Sequence, residues 1–157
     1  MRTSIELIDL VAVRGEAFAT FIEGLDEASF RRRPAEAAWS AAELAGHVSE
    51  FPRTFALDAA RLAANPGAGV GRNLDDEGRL AALGRIGDRS PAEAAELVRE
   101  AIAAASAVLG AIPGDGWAVE GVRVVNGEVI AVSKLIETFV AGHLALHLKQ
   151  AQEAVAC

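Results

Sequence analysis

The sequence has one cysteine, Cys157, and one thiol cannot form an internal disulfide. It also lacks an uncharged apolar run of about 18 residues, so no transmembrane helix is expected. Glu6 and Asp9 interrupt the N-terminal stretch where a signal peptide would be apolar, and none is expected. These absences favour a cytoplasmic protein with no membrane partner.

The chain has no excess of positive charge. It carries 15 Lys and Arg against 22 Asp and Glu, for a net charge of −7, which argues against a nucleic-acid partner. Apolar residues make up 52% of the 157 residues, enough for a folded core rather than a disordered chain. This length predicts a single domain over residues 1–157.

Histidine is scarce as well, but the three histidines stand in a suggestive arrangement. His143 and His147 have the i, i+4 spacing that puts two rings on one helix face, and His47 falls on another predicted helix. Neutral imidazoles are common ligands of transition metals. Three such ligands with an empty position are typical of a catalytic metal site, although packing histidines remain an alternative.

The sequence between the paired histidines lacks a glutamate. His143 is followed by Leu144, so the pair is not the HExxH motif of a zinc protease, in which that glutamate is the general base.

Apolar periodicity and end signals predict four long helices. A capping box at Ser40 and Glu43 begins the second, and Pro52 should kink or break it just past His47. Ser90 and Pro91 begin the third. The predicted ranges are 3–24, 40–64, 90–112 and 133–154.

Two other segments separate these helices. Residues 65–89 form a long glycine-rich link with a short helix near 77–83, and this link could leave the second and third helices parallel. The β-branched runs 121–125 and 128–132 flank Asn126-Gly127, a strong hairpin signal. The prediction is an all-α four-helix bundle with a small β-hairpin between helices three and four. Antiparallel second and fourth helices would put the three histidines at similar heights.

The histidine segments resemble the DinB/YfiT-like family. PAEAAWSAAELAGH (residues 34–47) is similar to its first signature, and ETFVAGHLALH (residues 137–147) to its second. The stretch 24–34 also resembles the family's exit from helix one.

This resemblance implies an up-down-down-up bundle with a divalent metal held by His47, His143 and His147. Characterised relatives are often thiol-dependent enzymes, including S-transferases and a mycothiol-dependent maleylpyruvate isomerase. The metal could be zinc, nickel, iron or manganese, with a low-molecular-weight thiol as co-substrate.

Other residues near these motifs have two interpretations each. Glu50 lies one turn past His47 and could orient an imidazole or act as a base, or it could be solvated or pair with Arg53. Gln150, one turn past His147, could likewise orient an imidazole or be solvated. Trp39 is expected to be a packing anchor. The run Arg31–Arg33 could attract carboxylates, or it could be a solvated turn.

The sequence therefore favours a metal-dependent, thiol-dependent S-transferase that acts on small electrophiles. Two alternatives stay open: a metal-assisted hydrolase, and a non-catalytic helical-bundle interaction protein, with or without a metal. A homodimer is also compatible with the sequence.

Overall fold

The computed structural model describes residues 1–156, and Cys157 lies outside the described residues. The helices are α1 (Ser4–Glu23), α2 (Glu27–Arg31), α3 (Ala41–Val48), α4 (Phe51–Ala64), α5 (Glu77–Ala82), α6 (Pro91–Gly110), α7 (Val132–Ile136) and α8 (His143–Ala156). A π-helical segment (Glu137–Gly142) joins α7 to α8, and a 3₁₀ turn spans Gly114–Ala118. The strands are β1 (Gly69–Val70), β2 (Glu120–Arg123) and β3 (Val129–Ala131).

These elements form the predicted four-helix bundle. Its first helix is α1, its second is α3 with α4, its third is α6, and its fourth runs from α7 through the π-helical segment to α8. Capping boxes begin α1, α3 and α6, because in each a Ser or Thr at the N-cap and a Glu three residues later satisfy each other's backbone N–H groups.

The second bundle helix breaks where Pro52 predicted it would. Helix α3 ends at Val48, and α4 begins at Phe51 with the proline in its first turn. Proline has no backbone N–H to donate to the preceding turn, so a new helix starts there instead. The break leaves His47 in the last turn of α3.

The bundle is up-down-down-up. Strand β1 follows α4, strand β2 follows the end of α6, and the two pair in parallel, so both helices end beside the same sheet. Helix α1 runs against α6, since Gly15 packs on Ile102 whereas Glu23 pairs with Arg99 one turn earlier. The long second link therefore does carry the chain back along the bundle, as its length suggested.

The predicted hairpin is present, with two differences. Its strands are shorter than expected, ending at Arg123 and beginning at Val129, so Asn126-Gly127 lies within a longer turn. The link also adds β1 as a third strand, which the sequence analysis missed. A two-residue strand carries no periodicity of its own, so only its pairing with β2 reveals it.

The core lies between the four bundle helices and is closed at one end by the sheet. Its largest fully buried side chains include Phe18 from α1, Phe51 from α4, Leu109 from α6 and Leu144 from α8. Within residues 1–156, no helix combines the length and the hydrophobicity that a membrane crossing needs.

Gly121 is the tightest point between the sheet and the bundle. A methyl group there would overlap the Ala68 carbonyl oxygen and a Leu62 methyl, so Gly121→Ala should lower the free energy of unfolding by about 1–3 kcal/mol. Urea unfolding measures this. Gly110→Ala is the control, because a methyl group at Gly110 meets no neighbour, and it should leave stability equal or higher. Equal losses in the two variants would contradict the packing argument.

Candidate metal centre

The fold brings all three histidines together. One ring nitrogen from each of His47, His143 and His147 lies within 4.8 Å of the others. The ring centroids are 4.6 Å apart for His143 and His147, 4.9 Å for His47 and His147, and 5.9 Å for His47 and His143. The expectation that the rings share one height in the bundle is met.

Two irregular backbone features position these rings. His47 lies in the last turn before the break in the second bundle helix. His143 is the first residue after the π-helical segment, whose wider turn changes the angle at which the following residues face the bundle. Arg14 of α1 donates to the Ala141 carbonyl at 2.8 Å and holds this segment in place. Pro52 predicts the first feature from the sequence, whereas no sequence pattern indicates the second.

Aromatic side chains surround the cluster. The Phe51 ring is 5.0 Å from His47 and 5.1 Å from His143, and the Trp39 ring is 5.4 Å from His47 and stacked 6.3 Å from His147. Trp39 therefore packs directly on two imidazoles. This contact agrees with the expectation that Trp39 is a packing anchor.

This environment keeps the imidazoles neutral. Burial lowers the pKa of His47 to about 2, and the charges of the other two histidines and of nearby arginines act in the same direction. Burial lowers the pKa of His147 to about 4. Burial, and then the charges of Arg79 and Arg72, also lower the pKa of His143. At neutral pH each ring therefore has a lone pair available, as a metal ligand requires.

The donor set fits a divalent metal. Within residues 1–156, His47 Nδ1 and His147 Nε2 are buried and have no hydrogen-bond partner. A buried unpaired polar atom costs about 1–3 kcal/mol, so such atoms are rarely left without a role. Two nitrogens bound to one tetrahedral zinc ion are about 3.4 Å apart, because each bond is about 2.1 Å long. The three nitrogens lie within 4.8 Å of one another, so the rings would have to close by up to about 1.4 Å to hold an ion.

Gln150 orients one of these rings. Its side-chain oxygen lies 2.7 Å from His147 Nδ1. In this pairing the Nδ1–H donates to the amide oxygen, which leaves the lone pair on Nε2, the partnerless atom. The arrangement matches the first of the two interpretations of Gln150.

Glu50 does not contact a histidine. Its carboxylate oxygens accept from Arg72 at 2.5 and 2.6 Å, and one also accepts from Thr54 at 2.8 Å. These hydrogen bonds do not orient an imidazole, and the ion-pair partner is Arg72 rather than Arg53. No sequence pattern indicates this contact, because Arg72 lies 22 residues away in the long link. The suggested role of Glu50 as a base stays a prediction.

The link between the second and third bundle helices forms a wall of the site. Acidic residues of the second helix hold it there: Asp58 accepts from the Gly71 amide at 2.8 Å, in addition to the Glu50–Arg72 pair. The short helix of this link, α5, packs on α3. At this contact Gly46 has no room for a side chain, because the Ala82 carbonyl lies against it. The link thus brings Arg72 and Arg79 to the histidines, which the sequence analysis did not foresee.

Two cavities open beside the histidine cluster. The aromatic cavity, of about 330 Å³, is bounded by Phe51, Phe55 and Phe139 and reaches His47 and His143. The tryptophan cavity, of about 500 Å³, is bounded by Trp39, Leu146 and Gln150 and reaches His143 and His147. A small molecule in either cavity would lie against imidazole nitrogens.

The arginines 31–33 have structural contacts away from these cavities. Arg31 donates to the carbonyls of Gly87 and Arg89, Arg32 to that of Val155, and Arg33 pairs with Glu43. They join chain segments to one another and line neither cavity, so the solvated-turn interpretation is nearer to the structure than carboxylate recognition.

Comparison with known proteins gives one family and one fold. The sequence profile of the DinB superfamily matches residues 10–151. The structure is similar to that of YfiT from Bacillus subtilis, described as a probable metal-dependent hydrolase with an unusual four-helix bundle topology. The TM-score is 0.75 at 12% identity, over 98% of this chain and 86% of the other. No protein of curated function matches the sequence significantly.

The fold also resembles the mycothiol-dependent maleylpyruvate isomerase, with a TM-score of 0.65 at 15% identity. The structure of a mutant of that isomerase gives a TM-score of 0.63 at 14% sequence identity. The alignment with the isomerase covers 99% of this chain but 62% of the isomerase, which is the longer protein.

The low histidine pKa values predict a pH-dependent stability. An exposed histidine has a pKa near 6.5, so between pH 6.5 and pH 4 the unfolded chain binds more protons than the folded one. The contribution of these histidines to the free energy of unfolding is fully present above pH 6.5. It is lost as the pH falls from 6.5 toward the pKa values of the histidines in the folded protein. For metal-free protein we expect a loss of about 2 kcal/mol for each of His47 and His147 between pH 7 and pH 5.

Urea unfolding of metal-free protein at pH 7, 6 and 5 measures this loss. His147→Gln is the matched variant, and it should show a smaller pH dependence than the unsubstituted protein, because one of the three histidines with a lowered pKa is absent. The same slope in both proteins would show that these histidines are not the groups responsible.

Proposed function

The chain belongs to the DinB superfamily, and from this premise we propose that it is a divalent-metal-dependent S-transferase, joining a low-molecular-weight thiol to a small electrophile. The observation that carries the proposal is the cluster of three neutral imidazoles, two of them buried and that of His143 half-buried, with two partnerless nitrogens, beside the aromatic and tryptophan cavities.

In this proposal His47, His143 and His147 hold the metal, which the donor set allows to be zinc, nickel, iron or manganese. A metal with an open position supplies Lewis acidity, lowering the pKa of a bound thiol or water so that it is ionised at neutral pH.

The chain's own side chains prepare the site for that chemistry. Burial keeps the three imidazoles unprotonated, and Gln150 holds His147 in the tautomer with a free Nε2. Phe51, Phe55 and Phe139 provide an apolar wall beside His47 and His143, against which the apolar part of an electrophile can pack.

The lining of the aromatic cavity favours an external nucleophile. It has no Ser, Thr, Cys, Asp or Glu among the described residues that line it, and its two histidines would be occupied by the metal, so no side chain there is free to act as the attacking group. A thiol co-substrate or a water molecule must take that role. The likeness to the fold of a mycothiol-dependent isomerase supports the thiol.

Metal-assisted hydrolysis is the second candidate. The likeness to YfiT, a probable metal-dependent hydrolase, favours it, and the same centre could ionise water instead of a thiol. The two candidates differ in whether turnover requires an added thiol. The single domain over residues 1–157, the cytoplasmic location, the small-molecule substrate and the homodimer stay predictions.

The histidine cluster predicts specific metal uptake. Protein purified without an affinity tag should bind one divalent ion per chain, and His47→Ala, His143→Ala and His147→Ala should each abolish this binding. Gln150→Leu should weaken it about 10- to 100-fold because His147 loses its orienting acceptor. Gln150→Glu, which keeps an acceptor oxygen, should restore most of the affinity.

Isothermal titration with zinc, nickel, manganese and ferrous iron measures these affinities. Gln152→Leu is the matched control, since Gln152 is an exposed glutamine on the same helix. Absence of uptake for all four metals would exclude the enzymatic proposal and favour the interaction-protein alternative.

The S-transferase proposal predicts that turnover requires a thiol. With metal-loaded protein and 1-chloro-2,4-dinitrobenzene, an S–C bond should form, chloride should leave with the C–Cl electron pair, and the thiol proton should pass to solvent. Absorbance measures the thioether across a panel of low-molecular-weight thiols. Turnover of p-nitrophenyl acetate without thiol, together with no thioether from any thiol, would instead support the hydrolase.

A further inference from the structure

The aromatic cavity has an electrostatic character opposite to that of the whole chain. The protein carries a net charge of −7. Among the described residues, those that line this cavity include three arginines, Arg72, Arg79 and Arg123, and no acidic residue. A positive cavity in an acidic protein would attract an anionic ligand and repel a cationic one.

Carboxylates of the protein already compensate the positive charge of two of these arginines. Arg72 is held by both carboxylate oxygens of Glu50 at 2.5 and 2.6 Å and lies near Asp76. Arg123 pairs with Glu128 at 3.1 Å and lies over the Phe139 ring. Their positive charge is therefore largely compensated before a ligand binds.

Arg79 differs from both. Its guanidinium donates to the Leu74 carbonyl at 2.7 Å and lies 5.1 Å above the Trp39 ring. Across residues 1–156 it forms no ion pair with a carboxylate. A guanidinium has five N–H donors, so most of those on Arg79 remain available to a ligand.

The position of Arg79 links the two cavities to the histidine cluster. Its side chain lines both the aromatic and the tryptophan cavity, and His143 does the same. Helix α5, which carries Arg79, packs on α3 at Gly46, the residue just before His47. The helices that carry Arg79 and His47 are thus packed against each other.

We propose that Arg79 is the recognition residue for the carboxylate of a small ligand whose apolar body lies in the aromatic cavity beside the three histidines. The planar fork of the guanidinium matches a carboxylate with two parallel hydrogen bonds, and the stacking on Trp39 keeps that plane in one orientation. The apolar part of the ligand packs on Phe51, Phe55 and Phe139.

This inference rests on the proposed function in one respect: the carboxylate ligand is taken to be the electrophile or the thiol of the transfer reaction. Recognition by Arg79 would then place the reacting atom of the ligand near the imidazole nitrogens. The binding step itself needs only the described residues, so it can be tested apart from turnover.

The test compares 3-phenylpropionate with 3-phenylpropanamide, which has nearly the same shape and no charge. Titration calorimetry on metal-free protein is the main measurement, because a carboxylate cannot then bind to a metal instead. The unsubstituted protein should bind the carboxylate at least about tenfold more tightly than the amide. Arg79→Met should bring the two affinities within about twofold, and Arg79→Lys should retain part of the preference.

Arg53→Met is the matched control, since Arg53 is an exposed arginine that lines neither cavity. It should leave the preference unchanged. Equal binding of the two probes by the unsubstituted protein, no binding of either at millimolar concentration, or a preference that survives Arg79→Met would each overturn the proposal. Displacement of 3-phenylpropionate by inorganic phosphate more readily than by acetate would also overturn it, since the site would then be a phosphate site.

Zinc titration of the same samples separates this inference from the proposed function. Loss of zinc binding by every protein, with an Arg79-dependent carboxylate preference intact, would refute the metalloenzyme and leave the anion site standing. Normal zinc binding by the unsubstituted protein and Arg79→Met, with no carboxylate preference in either, would refute the anion site alone.

Discussion

The rest of the site depends on the packing of three imidazoles, two buried and one half-buried, against one another and against aromatic rings. A charged imidazole is disfavoured there, so the rings stay neutral, and the partnerless nitrogens of His47 and His147 carry a desolvation cost that the folded protein must bear. Packing elsewhere in the bundle offsets this cost. A ligand that accepts these lone pairs would recover it, and for this reason we propose that the cluster holds a metal.

Three different structural features orient the histidines of that cluster. A helix break ends α3 just after His47, a π-helical segment turns α8 before His143, and Gln150 selects the tautomer of His147. Each feature interrupts or supplements regular helix geometry at the point where a side chain needs a direction that a straight helix does not provide.

The long link has two roles that follow from its charges. Carboxylates of Glu50 and Asp58 fasten it to α4, and this pairing also neutralises Arg72. Arg79 is held instead by a carbonyl and an aromatic ring, and no carboxylate of residues 1–156 forms an ion pair with it. The same segment therefore closes the aromatic cavity and gives it a positive end, although the protein as a whole is acidic.

The sequence by itself determined the local features, those that depend on a short stretch of chain. Capping residues such as Ser40 and Ser90 mark helix starts, Pro52 marks a break, and Asn126-Gly127 marks a turn, because each acts through the backbone within a few residues. The spacing of His143 and His147, with the resemblance of the segments around them, was enough to predict the histidine cluster. Tertiary structure alone decided the partner of Glu50, the third strand, the π-helical segment and the place of Arg79. Each of these depends on residues far apart in sequence, and the energy of a charge or a strand edge is set by whatever the completed fold brings next to it.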